Sequence, residues 1–170
     1  MPVTPVPSPQ PPAPALILLP EPFDLESTLL SGQAFRWRKH DPWFYGVAFN
    51  NILQIRQTER GLEVLSSPDD PRTLEPLLRD YLGLSHDLEE IYAGISTDVD
   101  IAAAIDRYRG LRILSQDPWE CLVSFICSSA SNIPRIAKNV ESICDAYGRP
   151  IWLGEYQRNS FPTPWELAEA

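Results

Sequence analysis

Trp43-Phe-Tyr-Gly-Val-Ala-Phe-Asn-Asn-Ile-Leu-Gln-Ile-Arg56 is the stretch that decides the fold. Two runs rich in aromatic and branched residues flank Asn50-Asn51, a dipeptide that tolerates positive φ. The pattern predicts strands at Trp43 to Phe49 and Ile52 to Arg56, paired antiparallel through a tight turn. Downstream, Glu59-Arg60-Gly61 supplies a glycine for the next reversal and Leu62 to Leu65 a further strand. Upstream, Gln33 to Trp37 has the same composition and is also expected to be a strand. The first half therefore reads as a β-meander.

From Pro71 the apolar period changes from two to 3.6. Leu74, Leu77, Leu78, Tyr81 and Leu82 form one stripe, with Thr73 as the expected N-cap, Pro76 in the first turn and Gly83 as terminator. Leu88, Ile91, Tyr92 and Ile95 repeat the spacing, as do Ile101, Ala102, Ile105 and Tyr108 before Gly110. Strands followed by helices imply an α+β architecture, with the helices packed on one face of an antiparallel sheet. Asp117-Pro118-Trp119-Glu120 is the clearest helix start: an acceptor at the N-cap, proline at the first position and glutamate at the third. The helix it opens, through Cys127, has almost no polar face and must be enclosed by other elements. After the polar link Ser128 to Asn132, a second helix carries Ile133, Ile136, Val140, Ile143 and Tyr147 on one side and Arg135, Lys138, Asn139 and Ser142 on the other, ending at Gly148.

Composition sets outer bounds. The 170 residues suffice for one domain and the start of a second. Nine of the 18 prolines precede Phe23, and this lead has no lysine or arginine and only a short apolar run, Ala15 to Leu19, so residues 1–22 are expected to be a flexible arm rather than a signal peptide or membrane span. Fourteen basic against 23 acidic groups give a net charge of -9, which excludes a protein that coats nucleic acid by bulk electrostatics but not one with a local site. From Glu63 to Arg109 eleven acids face four bases; from Ser31 to Arg60 five bases face two acids. Cys121, Cys127 and Cys144 lack CxxC spacing and lie in apolar surroundings, as reduced core thiols of an intracellular protein would. His40 and His86 are not at ligand spacing from each other or from cysteine, so no metal and no cofactor are expected.

Two stretches could carry chemistry. The start of the Ile133 helix, with a cation in its first turn and Ser131 and Asn132 just before it, could seat a phosphate or a base edge; the bland alternative is an ordinary capped helix end. In Ser31-Gly-Gln-Ala-Phe-Arg-Trp37 a glycine entering an aromatic segment permits close approach to the backbone, the alternative being a turn glycine. The only lysines, Lys39 and Lys138, lack the apolar pocket that would make an amine nucleophilic.

Ser31 to Trp37, Gln116-Asp-Pro-Trp-Glu-Cys-Leu-Val-Ser-Phe-Ile-Cys-Ser-Ser129 and Asn132-Ile-Pro-Arg-Ile136 together resemble the 8-oxoguanine DNA glycosylases. The similarity covers about residues 23 to 165, including Leu78-Arg-Asp-Tyr-Leu82 and Arg109-Gly-Leu-Arg-Ile-Leu114. It implies an N-terminal α+β domain over 23–115, shaped like half of a TATA-binding protein, and over 116–170 the first helices of a helical glycosylase domain. It also implies that Gly32 offers a backbone carbonyl to the extruded damaged base, and that Arg135, with Asn132 and Ser131, contacts the orphaned cytosine. Ala130 and Ser131 depart from the asparagines common there in the family. The family's helix-hairpin-helix with its nucleophilic lysine, and the aspartate beyond it, have no match, so no catalytic residue is expected within this chain. The implied role is base excision repair by an N-glycosylase with AP lyase activity. Its partners would be duplex DNA bearing oxidised guanine opposite cytosine and a C-terminal glycosylase part, without a membrane. Its place would be the cytoplasm of a bacterium or the nucleus of a eukaryote. The rival from another class is a non-enzymatic DNA- or protein-binding module derived from the family.

Overall fold

The computed structural model describes residues 14–169. In chain order it contains β1 (Ala15–Ile17), α1 (Leu25–Leu30), β2 (Arg38–His40), β3 (Trp43–Ala48), β4 (Asn51–Thr58) and β5 (Gly61–Ser67). There follow α2 (Pro71–Tyr81), α3 (Leu88–Ile95), α4 (Val99–Arg107), α5 (Pro118–Cys127), α6 (Ile133–Tyr147), β6 (Pro150–Leu153), β7 (Tyr156–Asn159) and α7 (Pro164–Ala168). The first five strands form one antiparallel sheet in the order β1-β5-β4-β3-β2, and β6 and β7 form a separate hairpin. The class is α+β, as the alternation of periods implies.

Sheet alternation sorts the core. Phe44, Leu53, Ile55, Leu62 and Val64 point to one face, where α1 supplies Leu25 and Leu29 and α2 supplies Leu74, Leu78 and Tyr81. Each of the larger fully buried side chains contributes about 1.5–3 kcal/mol by leaving water. Val47, Ile52 and Leu65 point to the other face, which is not bare: Leu153, Ile151 and Tyr156 of the β6–β7 hairpin cover it. The expectation of helices on one face is thus incomplete, because the opposite face also carries an apolar strip and a two-stranded cover.

Five local expectations are corrected. Gln33 to Trp37 is not a strand; β2 begins at Arg38. Side chains of Gln33, Phe35 and Arg36 reach different elements, and that divergence takes the segment out of period two. In the lead, residues 1–13 lie outside the described residues, but Ala15–Ile17 is an edge strand rather than part of a flexible arm, with Ala15 and Ile17 buried against β5 and Leu16 outward. The β3–β4 turn is Phe49-Asn50, at φ 54 and 57, one residue earlier than expected. Asn51 is drawn into the strand because its Oδ1 accepts from Asp69 N (2.7 Å) while its Nδ2 donates to Asp69 Oδ2 (2.9 Å). Finally, α2 is capped by Asp70, whose carboxylate accepts from Arg72 N at 2.8 Å, not by Thr73; Pro76 therefore lies beyond the first turn. Of the three cysteines only Cys144 is buried; Cys121 is exposed and Cys127 half-buried, so the reading of all three as core thiols does not hold.

Candidate nucleic-acid interface

The segment Ser31–Trp37 leaves α1 by a bend that needs Gly32 at φ +88, a region costly for side chains other than glycine. Gln33 then anchors it: Nε2 donates to Arg112 O (2.9 Å), Oε1 accepts from Leu114 N (2.9 Å), and Gln33 O accepts from Gln116 Nε2 (2.8 Å). Phe35 packs against Ile136, Val140 and Cys144 of α6. Trp37 is buried, its indole N–H donating to Tyr81 Oη at 2.9 Å, and a Cβ on Gly46 would lie 2.4 Å from its ring, so glycine there makes room for the indole.

Arg36 is 1% exposed and is not stacked on a neighbouring indole. Its Nε meets Glu141 Oε1 of α6 at 3.2 Å, and one Nη donates to Asn159 O of β7. Glu141 also receives Arg158 at 2.6 Å, so one carboxylate ties two guanidinium groups from distant parts of the chain. The other Nη of Arg36 is buried without a partner among the described residues. Arg36 and Glu120 both line a cavity of about 20 Å³, room for one water. Burial pushes the Glu120 carboxyl up to about 7, with the Arg36 charge opposing that rise.

The Gly32 bend lies against the start of α6. A Cβ on Gly32 would stand 3.1 Å from Ile133 Cδ1. Neither the backbone nor the side-chain hydrogen bonds found among the described residues use the Gly32 carbonyl. Asn132 caps α6, its Oδ1 accepting from Arg135 N at 3.1 Å, with Pro134 in the first turn. Ser131 Oγ is buried with no partner among the described residues, and Ala130 takes φ 50. Arg135, Lys138, Asn139 and Ser142 are all exposed, and neither cation enters an ion pair among the described residues. Beside them Leu122, Phe125, Ile126 and Ile133 are more than half exposed, so the apolar face of α5 that the sequence required to be enclosed is uncovered. The structure thus brings Gly32 together with the α6 start, and sequence reasoning missed the Arg36–Glu141–Arg158 tie that holds them in register.

Lys39 lies on β2, where it donates to Glu26 Oε2 at 2.6 Å and meets Asp41 at 3.4 Å. The Glu26 hydrogen bond leads in holding its ammonium above the ordinary range, the reverse of what an amine nucleophile requires. Among the described residues no His, Cys, Asp and Glu group could hold a metal. No helix among them is long and apolar enough to cross a membrane.

The chain is similar to known proteins along most of its length. The yeast Saccharomyces cerevisiae N-glycosylase/DNA lyase is 33% identical over 156 residues, 84% of this chain and 42% of the relative. The solved structure of MBOgg1 in complex with a low-affinity DNA ligand superposes with a TM-score of 0.79 at 32% identity, covering 87% of this chain and 51% of that one. The Clostridium acetobutylicum 8-oxoguanine glycosylase/lyase, in complex with double-stranded DNA containing cytosine opposite 8-oxoG, gives 0.78 at 29% identity over 87% and 51%. The chain therefore spans about half the length of the relatives it matches. The profile of the family described as 8-oxoguanine DNA glycosylase, N-terminal domain, matches residues 15–122, and because that is well over half of the sequence, this chain belongs to that family.

Proposed function

We propose that this chain is the lesion-reading part of an 8-oxoguanine DNA glycosylase/AP lyase acting in base excision repair inside the cell. The observation that carries the reading is the unspent Gly32 carbonyl, braced against Ile133 at the start of a helix whose first turn presents Arg135. Guanine has an acceptor at N7 where 8-oxoguanine has N7–H, so one carbonyl oxygen receives a hydrogen bond from the lesion and meets a lone pair from the intact base. Leaving such a bond unmade costs about 1–3 kcal/mol, roughly tenfold to a hundredfold in preference. Arg135 offers a planar fork to the acceptor edge of the orphaned cytosine. Asn132 spends its Oδ1 on the Arg135 backbone N–H and is exposed, so its Nδ2 serves as a second donor to the same cytosine, and the unpartnered Ser131 hydroxyl stands beside it.

The chemistry belongs to a complementing segment that covers the exposed α5 face. Lys39 is committed to two carboxylates and Lys138 stands in solvent on α6, so neither serves as the nucleophile. The test is duplex binding measured over a salt series, with 8-oxoguanine or guanine opposite cytosine and Arg135→Ala alongside. The expected result is a lesion preference of at least about tenfold, and a salt slope of about -1 from the Lys138 phosphate-side charge. Equal affinity for both duplexes at every salt concentration would sink the reading and leave a binding module without lesion selectivity.

A further inference from the structure

The peptide between Gly32 and Gln33 carries the reading oxygen, yet among the described residues neither its carbonyl nor its N–H enters a hydrogen bond. Gly32, at φ +88 and without a Cβ, leaves this peptide plane free to turn about its two flanking bonds. Which edge faces the base is therefore set by whatever holds the neighbouring groups.

Gln33 supplies that hold. Its side-chain amide bridges the segment after α4 as a paired strand residue would, Nε2 donating to Arg112 O and Oε1 accepting from Leu114 N, both at 2.9 Å. Nε2 also donates to Ser31 Oγ at 2.9 Å, which ties the amide back across Gly32 to the end of α1. On the following peptide, Gln33 O accepts from Gln116 Nε2 at 2.8 Å. The segment that receives Gln33 is itself fixed. Arg112 N donates to Thr28 Oγ1 at 3.1 Å, its buried guanidinium donates to the carbonyls of Gly83 and His86, and Ser115 N donates to Tyr81 O at 2.9 Å. All of these contacts are made within the chain.

The two edges of the peptide have opposite preferences. A carbonyl accepts from the N7–H of 8-oxoguanine and opposes the N7 lone pair of guanine; the same peptide turned over offers an N–H, which favours guanine and opposes the lesion. On the reading of the Gly32 carbonyl given above, we infer that Gln33 is a positioning residue: its amide, held between Arg112 and Leu114, keeps the oxygen rather than the N–H of the Gly32–Gln33 peptide toward the base and so sets the sign of the discrimination.

The test is fluorescence-anisotropy titration of the 170-residue chain with duplexes carrying 8-oxoguanine, guanine or 7-deazaguanine opposite cytosine. 7-Deazaguanine has C–H at position 7 and neither donates nor accepts there. The parent should bind 8-oxoguanine best, 7-deazaguanine next and guanine least, across a range of at least about tenfold. Gln33→Met keeps the length of the side chain and removes both hydrogen-bonding edges; its affinity for 8-oxoguanine should fall about tenfold while guanine gains on 7-deazaguanine. Loss of folded structure lowers all three together, so the order of the duplexes separates positioning from stability. Gln33→Glu decides the matter if the methionine variant does not fold. Its carboxylate still accepts from Leu114 N but meets Arg112 O with a lone pair, so the lesion preference relative to the parent should be low at about pH 7.5 and recover at about pH 5, where a protonated carboxyl donates in place of the amide. A parent that binds the three duplexes alike overturns both this inference and the carbonyl reading. A parent with the expected order overturns the inference alone if the glutamine variants that fold keep that order at about pH 7.5, or lose affinity for all three duplexes equally.

Discussion

Replacing Glu120 with glutamine tests the buried charge arrangement behind the Gly32 segment. Burial raises the carboxyl from an ordinary 4.5 to about 7. Between those pH values the folded chain holds a proton that the unfolded chain has released, so folding loses stability as pH rises through this window. Below 4.5 both states are protonated and nothing is lost; above 7 the full difference applies. At about 1.4 kcal/mol per pH unit it amounts to about 3 kcal/mol by pH 8. Glutamine keeps the shape of the neutral carboxyl and cannot ionise. Glu120→Gln should therefore be close to the parent in stability at pH 5 and about 2–3 kcal/mol more stable at pH 8. With a urea dependence of about 2 kcal/mol per molar, the midpoints should separate by about 1 M more at pH 8 than at pH 5. Comparing the two proteins at each pH cancels every other titrating group they share. Parallel pH profiles would refute the reasoning, as would a variant that loses stability at pH 8, since the carboxylate would then be a needed partner for Arg36.

Other substitutions probe separate links. Glu141→Gln removes the one anion between Arg36 and Arg158 and should cost about 3–5 kcal/mol, read as a lowered denaturation midpoint; a loss below 1 kcal/mol would mean the ion pairs are idle. Ala130→Asn should stabilise by about 0.5–1 kcal/mol, because alanine at φ 50 bears a cost that asparagine largely avoids, and an unchanged or lower melting temperature would contradict this. Gly46→Ala places a methyl 2.4 Å from the Trp37 ring and should destabilise by about 1–3 kcal/mol with altered tryptophan emission; a native spectrum and midpoint would show that the indole has room to move. Phe125→Ser should reduce concentration-dependent association of the isolated chain in light scattering, since Phe125 is 76% exposed on the uncovered α5 face, and undiminished association would move the cause elsewhere.

Much of the fold is legible locally because its signals are local. The β3–β4 and β4–β5 reversals, the stripes of α2 to α4, and the caps of α5 and α6 at Asp117 and Asn132 all lie within a few residues of the structure they specify. The β6–β7 hairpin had such a signal in Gly154-Glu155, where Gly154 takes φ 59, but its short strands lack a clear alternation. The edge strand β1 is obscured by its neighbours, since prolines on both sides suggest an arm while Ala15 and Ile17 alternate with Leu16 as a strand requires. Gln33 to Trp37 fails for the opposite reason. Its composition is that of a strand, but its side chains are committed to partners remote in sequence; Arg36 and Glu141 are 105 positions apart, and no spacing rule connects them. The candidate site is therefore legible as two separate motifs, and their juxtaposition is not.

The same distinction explains how a chain of net charge -9 leaves unpaired cations exposed together at one helix start. A formal total treats all charges as equally available, whereas folding spends most of the cations. Arg36, Lys39, Arg56, Arg72, Arg79, Arg109, Arg149 and Arg158 are in ion pairs. Arg38 and Arg112 donate to backbone carbonyls, and Arg107 lies over a tyrosine. What remains among the described residues is Arg60, and Arg135 with Lys138 one helical turn apart, at the end of α6 where unpaired amides add positive potential. Five carboxylates without an ion pair among the described residues, Asp87, Glu90, Asp98, Asp100 and Asp106, stand on or beside α3 and α4, a stretch with no lysine or arginine between them. On the proposed function, long-range repulsion and short-range attraction act at different places on one molecule, and the acidic side limits the orientations in which a duplex can approach to those that bring it to α6 and the Gly32 bend.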